Sequence, residues 1–318
     1  WCINEDQRGN IWFGTNGGGV YVYNGTHFVK YTTTEGLSDN YIWSLIADHN
    51  GNMWIGTSSS GVTMFDGQQF TVYSENEGLS NKMVRTILED KCGNIWMGTN
   101  GGGLNIYNGN GFTHFTEKEG LSHFKVLSMT EDHQGNVWLG TNGGGVSIMR
   151  DTVVQHLTET QGLLSNNIIS LTTDHQNRKW LSTWGRGVQV YDGKTFTNFG
   201  KSNGLTDERC TFVLHDRKGN TWLGTQYSGI AIYDGKTFKH FTEKEGLSSN
   251  NIRYLLEDSK GNIWICTHGG GVSVYDGKNI THFTEREGIS DNLIWMAHED
   301  QHHNIWFATE QGGVSVYD

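Results

Sequence analysis

Proline is absent from this chain of 318 residues, and only 18% of its residues are charged. Its apolar runs are about five residues long, where a spanning helix needs ~20, so no membrane segment is expected. Basic residues are outnumbered, 23 Lys and Arg against 34 Asp and Glu, for a net charge of −11. Phosphate binding needs a basic footprint, so nucleic acid is excluded as the main partner. The chain does not open on a basic, apolar, small-residue leader, so a signal peptide is expected to have been removed or never present. What is plentiful is glycine, with 44 residues, and tryptophan, with 12. High aromatic content without proline argues against a disordered chain.

The tryptophans announce a repeat, the first feature to seek in a chain of this kind. Trp12, Trp54, Trp96, Trp138, Trp180, Trp222, Trp264 and Trp306 are spaced by 42 residues throughout. Asp6 recurs at the same interval through Asp300, as do Thr15 through Thr309 and Gly19 through Gly313. In one unit, four short strands are predicted: A over 252–257, B over 263–267, C over 272–275 and D over 280–283. An Asp-Gly turn at Asp276-Gly277 is a strong two-residue hairpin signal. Val272 and Val274 alternate with Ser273, the period of a strand. No segment shows a sustained helical period, so helix is expected to be essentially absent.

Four strands in ~42 residues is the arithmetic of a β-propeller blade. The expected fold is all-β, a closed propeller of eight blades forming one domain over 1–318. The blades span about 1–34, 41–76, 83–118, 125–160, 167–202, 209–244, 251–286 and 293–318. Eight full units would need 336 residues, 18 more than the chain has. The last blade is therefore expected to lack its outer strand D. Its strand C would then be an open edge, a candidate for edge-to-edge self-association.

The repeated residues have structural readings. One Trp per blade fills the wedge between neighbours, a contact of ~150–250 Å². The repeated Asp caps the A–B turn by accepting backbone N–H bonds. The Gly19 series takes a positive φ or a close backbone approach. The four cysteines (Cys2, Cys92, Cys210 and Cys266) fall in different registers, so no disulfide framework is expected, and Cys92 should be exposed. His114, His156, His240 and His282 share a strand-D register and read as solvated. No nucleophile elbow, zinc-helix motif or phosphate loop occurs. Catalytic residues, metal and cofactor are expected to be none. The adjacent pair His302-His303 is poorly placed to clamp one metal.

The unit Asp-x-x-Gly-Asn-x-Trp-x-Gly-Thr, then Gly-Val-x-x-Tyr-Asp-Gly, then Glu-Gly-Leu-Ser-x-Asn resembles the two-component regulator propeller repeat. The resemblance covers nearly the whole chain. It implies a periplasmic or extracellular sensor region of a bacterial hybrid histidine kinase, associated with polysaccharide use, and it implies ligand sensing without catalysis.

Function is sought where the repeats differ. The D–A and B–C loops share the top face of a propeller, and the A–B and C–D turns share the other. At the top of strand A one register reads Trp1, Trp43, Arg85, Leu127, Ile169, Thr211, Arg253 and Trp295. On a closed ring, Arg253, Trp295, Trp1, Trp43 and Arg85 would form one arc. The B–C loops add Trp184, Arg186, Tyr227 and His268. Aromatic rings flanked by hydrogen-bonding groups suit an oligosaccharide or another small flat ligand. The alternative is that this register packs between blades as additional core. At the level of function, the sensor reading stands beside a structural or protein-interaction scaffold, recently amplified or engineered, with no small ligand.

Overall fold

The computed structural model describes residues 2–150 and 152–318. The fold is an all-β propeller of eight blades: seven four-stranded antiparallel sheets and a last sheet of three strands, each in sequential strand order. The predicted unit is reproduced, with strands Ile252–Glu257, Ile263–Thr267, Val272–Tyr275 and Ile280–Phe283. The three-stranded sheet is built from Ile294–Glu299, Ile305–Thr309 and Val314–Tyr317. The chain divides into two compact units, 1–171 and 172–318, with the division inside the A strand of blade five, Ile168–Thr173.

The eight repeated tryptophans are all buried. In the first unit Trp12 lies 6.1 Å from the ring of Tyr31 in its own blade and 5.5 Å from Phe65 in the next. Trp54 repeats this with Tyr73 at 5.8 Å and Tyr107 at 5.4 Å. In the second unit Trp222 lies 6.5 Å from Phe241 and 5.7 Å from Tyr275. Each of these indoles thus sits between the D strand of its own blade and the C strand of the following one. Aromatic contacts of this kind stabilise by ~0.5–1.5 kcal/mol beyond the area they bury.

The repeated Asp does more than cap a turn. Asp90 Oδ1 accepts the backbone N–H groups of Cys92 and Asn94, while Oδ2 accepts the Asn94 amide and the Trp96 indole N–H. One carboxylate therefore closes the A–B turn and orients the core ring. In blade five Arg178 replaces the Asn, and its Nε donates to Asp174 Oδ2 at 2.6 Å. The glycine of this turn is replaced by Asn177 and His303 in blades five and eight, both at positive φ.

The Gly19 series meets both demands placed on it. Gly229 has φ +71°, and a Cβ there would stand 2.2 Å from the Phe241 carbonyl oxygen. A second small residue lies in the B strand, where adjacent blades approach. At Gly140 a Cβ would meet Ile168 Cγ2 at 2.8 Å, and at Gly224 it would meet Ile252 Cγ2 at 2.7 Å. Blade five has Ser182 at this position, and the residue in the Ile168 and Ile252 register of the following blade is Cys210, whose thiol donates to the Phe212 carbonyl at 3.4 Å.

One expectation holds and one is corrected. Helix is limited, among the described residues, to five three-residue 3-10 turns that open D–A loops, among them Glu117–Glu119 and Glu243–Glu245. They account for the Glu-Gly-Leu-Ser motif. Glu119 accepts from the Thr116 backbone N–H and hydroxyl, Gly120 takes the left-handed conformation, and Leu121 is buried. The Ser122 backbone N–H then donates to Ser147 Oγ of the next blade. Three of the strand-D histidines are not simply solvated. His114, His156 and His282 hydrogen-bond Asn105, Ser147 and Ser273 of strand C, because those buried polar side chains need partners.

Candidate functional site

The candidate A-strand register sits on a β-bulge. Pairing runs Ile42 with Thr57 and then Ser44 with Gly56, which leaves Trp43 as the extra residue. The same break isolates Arg85, Leu127, Thr211, Arg253 and Trp295 in their blades. A bulge re-aims a side chain and interrupts the ladder. The burial pattern shows the result. Ile42, Val84, Val126, Ile252 and Ile294, one residue earlier, are at most 1% exposed and belong to the core. Trp43, Arg253 and Trp295 are only half-buried, and Arg85 is exposed.

These side chains lean toward the next blade. Thr211 Oγ1 donates to the Ile252 carbonyl at 2.8 Å and to the Gly224 carbonyl at 3.0 Å. Where the register holds Trp and Arg, the two stack. In the first unit the Arg85 guanidinium lies 5.7 Å from the centre of the Trp43 ring. In the second unit Arg253 lies 4.7 Å from Trp295. Cation–π pairs of this kind contribute ~0.5–2 kcal/mol, more when desolvated. Arg253 Nε is buried and makes no hydrogen bond to any described residue. Trp1, the remaining aromatic of the register, lies outside the described residues.

The B–C loop residues stand apart from these pairs. Trp184 is 72% exposed and Tyr227 is 54% exposed. Arg186 is exposed on the same loop as Trp184. His268 Nε2 lies 3.7 Å from Glu310 Oε2, a contact between the B–C loops of blades seven and eight. Sequence reasoning missed Arg209, whose guanidinium stacks on Tyr227 at 4.2 Å. It also missed Phe124 in the first unit, a half-exposed ring stacked 4.3 Å from His123 with Lys125 at 5.9 Å. Both cations lie in the D–A loops, just before strand A. A cation and an aromatic placed in neighbouring loops were the available signal.

The described cavities lie elsewhere, in clefts between blades at the face of the A–B and C–D turns. One of about 480 Å³ is bounded by Asp6, Arg8, Trp12, Tyr31, Phe65 and Asp66. Another of about 280 Å³ is bounded by the equivalent Asp216, Lys218, Trp222, Phe241 and Tyr275. Their recurrence at one register marks them as a product of the wedge packing. None of the candidate residues lines them.

All four cysteines are free, three of them buried, with Cys92 exposed as expected. Burial pushes the Cys2 thiol up to about 11 and Cys210 up to about 12. Among the described residues there is no group of three or more His, Cys, Asp or Glu that could hold a metal ion. His303 instead bonds Glu299 at 3.1 Å and Ser259 at 2.9 Å. No helix of the described residues is long and apolar enough to cross a membrane.

Comparison with known proteins bears on this geometry. The two-component regulator propeller model matches residues 1–17, 36–59, 78–101, 121–143 and 246–269. No curated protein matches the chain at a significant level. Among solved structures, the extracellular domain assigned to the hybrid two-component system BT3049 of B. thetaiotaomicron is 27% identical with a TM-score of 0.54. That alignment covers 100% of this chain and 45% of that one, so the chain spans less than half of its relative. PorZ, a surface component of the type-IX secretion system of Porphyromonas gingivalis, is 14% identical with a TM-score of 0.67, over 98% of this chain and 51% of that one. Virginiamycin B lyase of Staphylococcus aureus is 13% identical with a TM-score of 0.63, over 87% and 94%. The last two likenesses show the fold alone. The five matched segments fall in register with the 42-residue period, so this chain is similar in its repeats to the two-component regulator propeller over about a third of its length.

Proposed function

We propose that this chain is a non-catalytic sensor propeller from the periplasmic or extracellular region of a two-component system, and that it binds an oligosaccharide through its top face. The observation that carries the reading is the bulge. It lifts Trp43 and Trp295 out of the core register, and each is stacked with an arginine in its own unit. An indole face covers the apolar face of a pyranose, and guanidinium donors fix its hydroxyls. The 27% identity to the extracellular domain of a hybrid two-component system supports the setting.

Calorimetric titration of the chain with a panel of oligosaccharides tests the reading. Saturable binding that is lost on Trp295→Ala is expected. No binding to any member of the panel would favour the scaffold reading, in which the same loops serve only to join blades.

A further inference from the structure

Blade six carries a feature that no other blade shares. Asp207 is 4% exposed. Its Oδ1 accepts from Arg209 Nε at 3.2 Å and from the Arg209 backbone N–H at 3.1 Å, and its Oδ2 accepts from the Tyr227 backbone N–H at 3.2 Å. Blades two and eight have Asp39 and Asp291 at this position, which also bind their own B–C loops, through Ser58, Ser59 and Gln311. Only in blade six does an arginine follow. Its guanidinium is clamped at Nε by a buried carboxylate and laid over Tyr227 at 4.2 Å. The Nη1 and Nη2 donors make no hydrogen bond to any described residue, and the side chain is 48% exposed.

A guanidinium held by one edge presents the other edge as a rigid fork, which suits two oxygens of one oxyanion. The Trp184 loop is tied beside it, because the Gly187 backbone N–H donates to the Glu208 carbonyl at 3.0 Å. Trp184 thus adds an open aromatic face, and Arg186 a second cation, in the same neighbourhood. We infer that Asp207, Arg209, Tyr227 and Trp184 form a subsite for an acidic saccharide: a pyranose carrying a carboxylate or sulfate, its ring on the aromatic face and its oxyanion on Arg209. On a chain of net charge −11 an anionic ligand gains nothing from the overall field, so the attraction must come from such a local fork.

The inference rests on the sensor reading above and deepens it. The test uses the whole chain, titrated with a galacturonate trisaccharide, a 6-sulfated galactose trisaccharide and neutral galactose trisaccharide. At least one acidic probe should bind more tightly than the neutral one, and which one does so separates carboxylate from sulfate. Arg209→Gln should weaken the acidic probe by ~10-fold or more, as loss of a charge-assisted pair does. The same substitution should leave the neutral probe within ~2-fold and the melting temperature close to wild type. Asp207→Asn should also weaken acidic binding, by releasing the guanidinium. Equal affinity for acidic and neutral probes, or an Arg209→Gln chain that still binds the acidic one fully, overturns this subsite while leaving a sugar sensor standing. Binding of none of the three overturns both.

Discussion

Trp54 donates its indole N–H to Asp48 Oδ2 at 2.8 Å, and both residues are buried. The same carboxylate accepts from the Asn52 amide and from the backbone of Asn50 and Asn52. A turn and a core ring are thereby fixed by one side chain. Asp48→Ala should strand four donors and cost ~2–4 kcal/mol, measured by urea denaturation. Trp54→Phe keeps most of the ring and leaves the carboxylate three donors, so it should cost less than Asp48→Ala. Equal or reversed costs would mean that the ring packs independently of the turn.

Acid should weaken the second unit before it weakens any turn carboxylate. Burial lowers His215 to about 4. The imidazole lies between Thr172 and Thr221 hydroxyls at 3.0 Å and against the Trp180 ring, with Asp174, His175, Arg178 and Asp216 as the nearby charges. The folded-state pKa is below the unfolded ~6.5, so the unfolded chain binds more protons between the two values. The contribution is full above ~6.5 and lost as pH falls toward 4, by about 2 kcal/mol between pH 7.5 and 5. Urea midpoints at those pH values for wild type and His215→Gln check this, and the variant should show the smaller drop.

Below about pH 4 a second loss should follow. Burial alone would raise the Asp174 carboxyl. Hydrogen bonds from Trp180, from the Arg178 backbone and from its guanidinium together outweigh burial and hold it below the usual carboxylate range. Asp258 and Asp300 are lowered in the same way by their Trp and Asn partners. Stability from these groups is present above the unfolded carboxylate value and disappears as pH falls through the folded one. Replacing Arg178 by Asn, the residue of most other blades, tests how much the charged partner adds over the neutral one.

The blade-five exchange predicts a coupling. Cys210→Ile alone should overpack against Ser182 and cost ~1–3 kcal/mol. Adding Ser182→Gly restores the pairing seen at Gly140 with Ile168 and should recover most of the loss. A double-mutant cycle with no coupling would show that the two positions do not face each other in solution.

The fold was legible because the repeat supplied eight copies of its Trp, Asp, Thr and Gly columns. Strand limits in blade seven follow from the Asp276-Gly277 turn and the Val272–Val274 alternation. The role of Asp was half legible. Its turn-capping geometry is local, but the bond from Asp48 to Trp54 depends on how strand B twists past the turn. The five 3-10 turns were not read, although Thr116 and Glu119 form a capping box. Three residues are too short to show a helical period. In the candidate site the register was visible as a column of Trp and Arg, but its direction was not. A bulge adds one residue without a sequence mark, and it decides which way Trp43 points. Arg209 was missed because it lies outside that column, in a D–A loop, and meets Tyr227 only through the fold.

The most direct test is the 19F spectrum of chain labelled with 5-fluorotryptophan, titrated with a pool of neutral and acidic oligosaccharides. Trp43→Phe, Trp184→Phe and Trp295→Phe variants assign the three top-face resonances, and the signals of the buried series serve as internal controls. The resonances of Trp43, Trp184 or Trp295 should move saturably with ligand, while those of Trp54, Trp180 and Trp264 stay in place. If no resonance moves with any pool, or if the buried series moves as far as the top-face residues, the top face is not a saccharide-binding surface.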